Sequence, residues 1–349
     1  MVKFIAKTPL IAIIYAAVLT FAAIFIPSTE LYSEALFVFQ VPYTGYLFMV
    51  VYGLYISLIL ASLYQFSKHR GFRLMLPLLL PVLVTQCVVP MLEQVMYGET
   101  TGVMSGSDSL MELLKRAVTV VFVMLVAALL FNRPLKDGEE LKSKPKKKLP
   151  KNKKPEPAGV TYKIKKIDLA VKMLVLPVVY CVLYFLVWYF ALWQSEVARV
   201  YYSGDPELRS FVTEIVLMLL ENVRLVPMAL LKGLLLALCM IPLLKELESN
   251  RILFIGMTIA LFLGPAVYML IPSPVMPHSV RIAHLIELSV LAVLYGALTG
   301  FLMHISLLRR VPQQVVVAGP ASKTKKGAAA TEDAVAEAAE EAPKKGRKK

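Results

Sequence analysis

The segment FNRPLKDGEELKSKPKKKLPKNKKPEPAGVTYKIKK, residues 131–166, separates two long apolar halves of the chain. Residues 132–166 contain thirteen Lys or Arg residues and four acidic residues, a net charge of +9. No apolar run in this segment could form a core, so we expect it to be solvated and disordered. So many cations resist transfer across a bilayer. The segment therefore predicts a cytoplasmic linker between two membrane-embedded halves.

The composition outside the linker is that of a membrane protein. Of the 349 residues, 58% are hydrophobic, and the mean hydropathy is +0.66. Residues 309–349 carry a net charge of +5, so the linker and this tail hold the chain's entire formal charge of +14. A charge confined to two such segments does not form the basic surface of a nucleic-acid-binding domain. As partners we expect membrane lipids, with anionic headgroups at the linker, and no nucleic acid.

Eight apolar segments approach the length of about 20 residues that a membrane-spanning helix needs. Residues 1–131 contain four of them, at 9–26, 46–66, 74–92 and 110–131. Residues 167–310 contain the other four, at 173–193, 225–244, 252–271 and 285–308. The predicted fold class is an all-α integral membrane protein with eight transmembrane helices in two four-helix halves. We number these helices span 1 to span 8.

Two further segments complete the predicted organisation. Residues 211–222, between spans 5 and 6, have the pattern of an amphipathic helix that lies in the outer membrane interface. Residues 311–349 alternate Ala, Glu and Lys without apolar periodicity, which predicts a disordered tail.

Charges at the span ends predict the orientation of the chain. With eight spans, the basic groups fall on one side of the membrane, at Lys3, Lys7, residues 68–73, the linker, Lys245, Arg251 and residues 309–310. Acidic residues of the connections fall on the other side. By the positive-inside rule, both termini are predicted to be cytoplasmic.

Similar patterns in the two halves raise the question of a tandem duplication. Lys7-Thr8-Pro9 precedes Tyr15 as Leu176-Pro177 precedes Tyr180, and the second span of each half contains a glycine, Gly53 or Gly233. Four spans per half would make the repeats parallel. The alternative is that apolar helices resemble one another by composition alone.

Lys232 is the charge predicted to lie deepest in the bilayer, near the middle of span 6. A lysine at that depth must extend towards the interface, form an ion pair or lose its proton. One interpretation is that its long side chain reaches an interfacial carboxylate. The other is that it responds to an ion or substrate inside the bundle.

Other polar residues lie near the predicted outer ends of spans 3, 6 and 8. Their spacing of three, seven or eight residues places those of span 3 on one helical face and those of span 8 on another. They could converge in a polar pocket, with the glutamates as proton or cation carriers and an arginine as an anion contact, or they could be ordinary interfacial helix ends. With Lys232, the candidate polar site comprises Gln86, Glu93, Glu221, Arg224, Arg281, His284 and Glu287.

Enzyme signatures are sparse. No HExxH, GxSxG or P-loop pattern occurs. We expect no span to contain an aspartate, so the Asp pair of an intramembrane aspartyl protease is missing. Cys87, Cys181 and Cys239 lie far apart in apolar runs, so we expect neither a disulfide nor a metal site. No cofactor is expected, and a membrane-embedded enzyme ranks third, behind the two functions given below.

The stretch PSPVMPHSVRIAHLIE, residues 272–287, resembles a signature of bacterial multi-pass membrane proteins that have no assigned activity. The dipeptides Thr85-Gln86 and Leu92-Glu93 of span 3 also resemble the sequences of this group of proteins. The resemblance covers mainly span 3 and spans 5 to 8. It implies the membrane architecture, located in a bacterial cytoplasmic (inner) membrane, and no mechanism.

Two functions from different classes follow from these features. The first is a transporter or solute-binding membrane protein for a small solute or ion, with its site between the halves near the outer face. The second is a membrane scaffold or assembly factor whose basic segments dock on lipid or acidic partners. A polar cavity that joins spans 3, 6 and 8 would favour the first, and a dry, leucine-filled interior would favour the second.

Overall fold

The computed structural model describes residues 5–26, 43–67, 69, 71–101, 106–131, 166–247, 250–272 and 276–305. Helices form the regular structure of these residues, and no strand occurs among them. They belong to one compact unit, Met1–Arg309. The predicted linker before Lys166 and the predicted tail lie outside the described residues.

Eight of the helices are long and apolar enough to cross a membrane, which confirms the predicted all-α membrane fold. Spans 1 to 4 are Thr8–Phe25, Gly45–Phe66, Phe72–Val95 and Gly106–Leu130. Spans 5 to 8 are Ile167–Leu192, Leu225–Glu246, Arg251–Tyr268 and His278–His304. The helix that contains span 2 is Tyr43–Phe66. The helix that contains span 3 continues to Thr101, and the helix that contains span 5 begins at Lys166.

Three spans begin earlier than their hydropathy predicts. Span 4 begins at Gly106 and span 5 at Ile167, so the expectation that no span contains an aspartate is wrong. Asp108 and Asp168 each lie in a first helical turn, where a carboxylate interacts favourably with the helix dipole. Span 8 begins at His278, which extends a regular helix beyond the predicted start at residue 285.

Contacts at the span ends show that span 1 runs opposite to span 4 and that span 5 runs opposite to span 8. Lys7, just before span 1, donates a hydrogen bond to the carbonyl oxygen of Leu130 at the end of span 4, at 2.6 Å. Lys172 in span 5 donates to the carbonyl oxygen of Met303 in span 8, at 3.3 Å. We call the side of the bundle where span 1 begins the near end, and the opposite side the far end.

The same helix contacts occur in both halves. A Cβ atom on Gly53 of span 2 would lie 2.7 Å from the carbonyl oxygen of Ala12 and 3.0 Å from the Cβ of Tyr15. A Cβ atom on Gly233 of span 6 would lie 2.6 Å from the Cβ of Tyr180. In each half, the glycine lets the second span approach a tyrosine-bearing turn of the first.

This equivalence also corrects the sequence comparison of the halves. A Cβ atom on Gly233 would lie 2.9 Å from the Cα of Pro177, three residues before Tyr180. The corresponding residue of the first half is Ala12, three residues before Tyr15, and not Pro9.

The arrangement of the spans is symmetric under exchange of the halves. Span 1 packs against spans 2 and 4, and span 5 packs against spans 6 and 8. Span 3 packs against span 4 and crosses to span 6, while span 7 packs against span 8 and crosses to span 2. Spans 3 and 7 also contact each other, so they form the centre of the bundle. The bundle therefore has the organisation of two parallel four-helix repeats.

Two short helices follow span 5 at the far end. The first connecting helix, Glu196–Ser203, is capped by the Ser195 side chain and ends at Gly204, whose φ is 72°. The second connecting helix, Phe211–Glu221, is capped by the Ser210 side chain and occupies the predicted amphipathic segment. With the end of span 5 they enclose a small aromatic core that includes Trp188, Tyr189 and Trp193.

Spans 3 and 5 each contain one π-helical segment, at Val84–Val88 and Trp188–Leu192. In span 3 the segment follows Pro77 and Pro81, which lack the backbone N–H of a regular helix. The Thr85 hydroxyl donates to the carbonyl oxygen of Pro81 at 2.8 Å. Insertions of this kind are frequent at functional sites, and this one lies at the centre of the bundle.

Candidate functional site

An ion pair joins the two halves. The ammonium nitrogen of Lys232 in span 6 lies 2.8 Å from Oε1 of Glu93 in span 3. The Lys232 side chain is completely buried, whereas that of Glu93 is 21% exposed. The ammonium group also lies 4.8 Å from the ring centre of Tyr184 in span 5, within the range of a cation–π interaction. Span 6 can bury this lysine because both an acid and an aromatic face compensate its charge.

A cavity of about 30 Å³ adjoins the ion pair. About 10–15 Å³ of such volume accommodates one water molecule, so this cavity has room for two. Spans 3, 5, 6, 7 and 8 contribute its walls, and most of the lining side chains are apolar. The lining residues are Thr85, Val89, Glu93, Tyr180, Leu236, Phe262, Pro265, Leu288, Leu291, Ala292 and Tyr295.

Two tyrosines give the cavity wall a fixed shape. The ring centres of Tyr180 and Tyr295 are 4.9 Å apart in an edge-to-face contact. The Tyr295 hydroxyl donates a hydrogen bond to the carbonyl oxygen of Gly233 at 2.8 Å. By contrast, Oε2 of Glu93 makes no hydrogen bond with any residue of the described part of the chain. The cavity therefore adjoins a carboxylate that has one paired and one unpaired oxygen.

Gln86 lies two turns deeper in span 3 than Glu93, and it binds residues of both halves of the bundle. Its amide oxygen accepts a hydrogen bond from the Tyr52 hydroxyl, and its amide nitrogen donates to the carbonyl oxygen of Leu261 at 3.0 Å. Tyr52 comes directly before Gly53 and Lys232 comes directly before Gly233, so Tyr52 and Lys232 occupy equivalent positions in the two halves. One face of span 3 thus binds the equivalent residues of span 2 and span 6, through Gln86 and Glu93 respectively.

His284 and Glu287 form a second cluster at the far end of span 8. Nδ1 of His284 lies 2.8 Å from Oε2 of Glu287, one turn along the same helix. Nε2 of His284 lies 2.6 Å from the hydroxyl oxygen of Tyr202 in the first connecting helix. The side chain of Glu287 is only 5% exposed. These contacts make a continuous hydrogen-bonded chain from a connecting helix to a buried carboxylate.

The other predicted site residues lie apart from the ion pair. Arg281 donates to the carbonyl oxygen of Ile271 at 2.5 Å and lies 3.2 Å from Nδ1 of His278. Glu221 and Arg224 are exposed, between the second connecting helix and span 6. Of the eight predicted residues, the structure brings together Glu93 with Lys232, and His284 with Glu287.

Buried charges in span 4 are absent from the predicted site. Nε of Arg116 donates to Oε1 of Glu112 at 2.9 Å, and Nζ of Lys115 lies 4.0 Å from Oε2 of Glu112. The guanidinium carbon of Arg116 lies 3.9 Å from the ring centre of Tyr268 in span 7. Charges at positions i, i+3 and i+4 of a helix are neighbours, so their spacing could have identified this cluster.

These charged groups do not assemble a metal site. Among the residues that the structure describes, no three His, Cys, Asp or Glu side chains are close enough to hold one metal ion. The three cysteines are free, and Cys87 and Cys239 are buried.

Comparison of the chain with protein-family models, with curated proteins and with solved structures finds no match. The resemblance of residues 272–287 to a bacterial membrane protein group therefore stays a prediction.

Proposed function

We propose that this polytopic membrane protein binds a small solute or ion between its two halves and carries it across the membrane. The observation that carries the proposal is the buried ion pair of Glu93 and Lys232, which joins the halves beside an internal cavity. Following the positive-inside pattern, the near end is assigned to the cytoplasm of a bacterium and the far end to the outside.

The energetics of this ion pair favour a functional role over a structural one. Removing two charges from water costs several kcal/mol per ion, and apolar side chains of similar volume often stabilise a buried site equally well. Charged residues inside membrane spans therefore tend to mark pathways for ions or substrates. Lys232 occupies the position that Tyr52 fills in the first half, where a neutral hydroxyl suffices to bind span 3.

The location of the cavity also supports transport. Membrane transporters built from parallel repeats bind their substrates near the interface between the repeats. This cavity is lined by span 3 of the first half and by all four spans of the second. Its volume admits water alone, so substrate binding requires the halves to separate. The ion pair is one polar contact that such a separation would break.

The competing function is a membrane scaffold, and one observation favours it. Most of the cavity wall is apolar, and Arg224 and Glu287 are not among its lining residues. On this alternative, the ion pair only fixes the packing of span 6 against span 3, and the interior stays closed.

Access to the cavity distinguishes the two functions without knowledge of the substrate. In a variant that lacks the three native cysteines, Ala292→Cys places a thiol in the cavity wall. A membrane-impermeant thiol reagent is added to right-side-out vesicles and, separately, to inside-out vesicles. We expect labelling from both sides, because a carrier exposes its site to each side in turn.

The neighbouring substitution Val293→Cys is the matched control, since Val293 is 47% exposed on the outer surface of the bundle and would face lipid. It should remain unlabelled from both sides. Labelling of Ala292→Cys from one side alone would support binding and contradict transport. Labelling from neither side would favour the scaffold.

A further inference from the structure

The chain of Tyr202, His284 and Glu287 is not explained by helix packing alone. A tyrosine hydroxyl, an imidazole and a carboxylate are each able to take up and release protons. Distances of 2.6 Å and 2.8 Å between their polar atoms are short enough for proton transfer. A carboxylate can only accept a hydrogen bond, so Nδ1 of His284 donates to Glu287. The other ring nitrogen, Nε2, then accepts a hydrogen bond from the Tyr202 hydroxyl.

The face of span 8 that carries this chain continues into the cavity wall. Residues three and four positions apart share a helical face, so His284 is followed by Leu288, Leu291 and Tyr295. These three residues line the cavity, and Leu288 directly follows Glu287. Glu93 lines the same cavity and has an unpaired carboxylate oxygen. Glu287 itself does not line the cavity, but it lies one helical turn before Leu291, which does. A water-mediated step would therefore connect Glu287 to Glu93.

We infer that Tyr202, His284 and Glu287 form a proton relay that carries a proton from the far end to Glu93, and that this proton releases Lys232. The inference rests on the proposed function, since it names the ion that operates the same site. The cavity has room for only two water molecules, which suits a hydrated proton.

The transfer balances as follows. The Tyr202 oxygen takes a proton from water while its own hydroxyl proton passes to Nε2 of His284. The proton on Nδ1 of His284 passes to Glu287 and then, through cavity water, to Oε2 of Glu93. His284 regains its first tautomer by exchange with water, gaining one proton at Nδ1 and releasing one from Nε2. The net change is one proton taken from the far-end water and one carboxylate, that of Glu93, neutralised.

Neutralisation of Glu93 removes the charge that compensates Lys232. The ammonium group then keeps a neutral hydrogen-bond acceptor and the face of Tyr184 but no counter-charge among the described residues. A buried charge without a counter-charge destabilises the closed packing of span 6 on span 3. Release of the proton on the other side restores the pair. Proton binding is thereby coupled to separation of the halves.

Other ionisable groups near the relay are engaged in contacts of their own. Arg199 of the first connecting helix donates to the carbonyl oxygens of Trp193 and Pro206, at 2.6 Å and 2.8 Å. Tyr201 packs edge-to-face on Tyr202 at 4.8 Å, and burial raises the pKa of its phenol. At the far end, the backbone N–H of Arg209 donates to Glu214, the Tyr189 hydroxyl donates to the Arg209 carbonyl oxygen, and Arg281 lies beside His278. Tyr180 and Tyr295 line the cavity with Glu93. Span 4, which packs against the helix that carries Glu93, bears Asp108, Glu112, Lys115 and Arg116.

The test follows the labelling of Ala292→Cys in the cysteine-free protein after a jump in far-side pH. With Glu93 intact, we expect the ratio of labelling from the two sides to change with pH. Glu93→Gln should hold this ratio at its low-pH value at every pH. His284→Gln keeps a hydrogen-bonding side chain but cannot relay protons, so it should slow the change about 100-fold and leave its end point unaltered.

Tyr202→Phe, which retains the packed ring but lacks the hydroxyl, should also slow the change in the labelling ratio. Size-exclusion chromatography checks that each variant is folded. A His284→Gln variant that switches as fast as its parent would overturn the relay. A pH-independent ratio with labelling from both sides would overturn the proton inference and leave the transport proposal standing. Labelling from neither side would contradict both.

Discussion

At the scale of single residues, the ion pair of Glu93 and Lys232 explains how a lysine remains buried in a membrane span. The ion pair engages Oε1 of Glu93, whose side chain is 21% exposed, whereas the Lys232 side chain is completely buried. The pair therefore compensates the lysine charge without enclosing the whole carboxylate.

Removing one charge of this pair should lower the stability of the protein more than removing both charges. We expect Glu93→Gln to lower the free energy of unfolding by about 3 kcal/mol, because Lys232 then stays buried without its counter-charge. Adding Lys232→Met should recover part of this loss, with a coupling energy of about 1–3 kcal/mol. Thermal unfolding in detergent measures both. The exposed Glu221→Gln should change stability by less than about 0.5 kcal/mol.

The buried acid of span 4 provides a second test at this scale. Glu112 accepts from Arg116 and lies close to Lys115, so Glu112→Gln leaves two buried cations with less compensation. We expect a loss of stability of about 3 kcal/mol, without a change in the labelling pattern of Ala292→Cys. An altered pattern at unchanged stability would instead place this cluster in the transport pathway.

At the scale of helices, hydropathy and charge predict the spans because burial in lipid demands about twenty apolar residues. Hydropathy misplaces the start of span 8, since His278 and Arg281 are polar yet form helical turns. It cannot identify which acid pairs with Lys232, because that depends on the packing of span 3 against span 6. The cavity and the contact between Tyr202 and His284 likewise depend on tertiary packing, which brings together residues 82 positions apart.

The close helix contacts of the two halves make a prediction about glycine. Gly233→Ala would place a methyl group 2.6 Å from the Cβ of Tyr180, so we expect a loss of about 1–3 kcal/mol in stability. Gly53→Ala should behave similarly if the halves are equivalent. Gly256→Ala is the control, because its Cβ would meet no atom within 4 Å and alanine favours the helix. Equal stabilities of all three variants would contradict the described packing.

At the scale of the whole molecule, the two halves share one arrangement but carry different side chains at equivalent positions. The first half holds span 3 through the neutral pair of Tyr52 and Gln86. The second half holds it through the charged pair of Lys232 and Glu93, and through the hydrogen bond from Gln86 to the carbonyl oxygen of Leu261. Span 3 should therefore remain with its own half when the charge is neutralised, while span 6 separates from it.

The distance between the halves tests this account most directly. Leu58 of span 2 and Leu238 of span 6 occupy equivalent positions, and both are exposed on the outer surface of the bundle. Spin labels at both positions report the separation of the halves as a distance distribution in lipid nanodiscs. We predict two populations whose ratio shifts towards the longer distance in Glu93→Gln. A single narrow population, identical with and without the Glu93 carboxylate, would contradict the claim that this ion pair controls the separation of the halves.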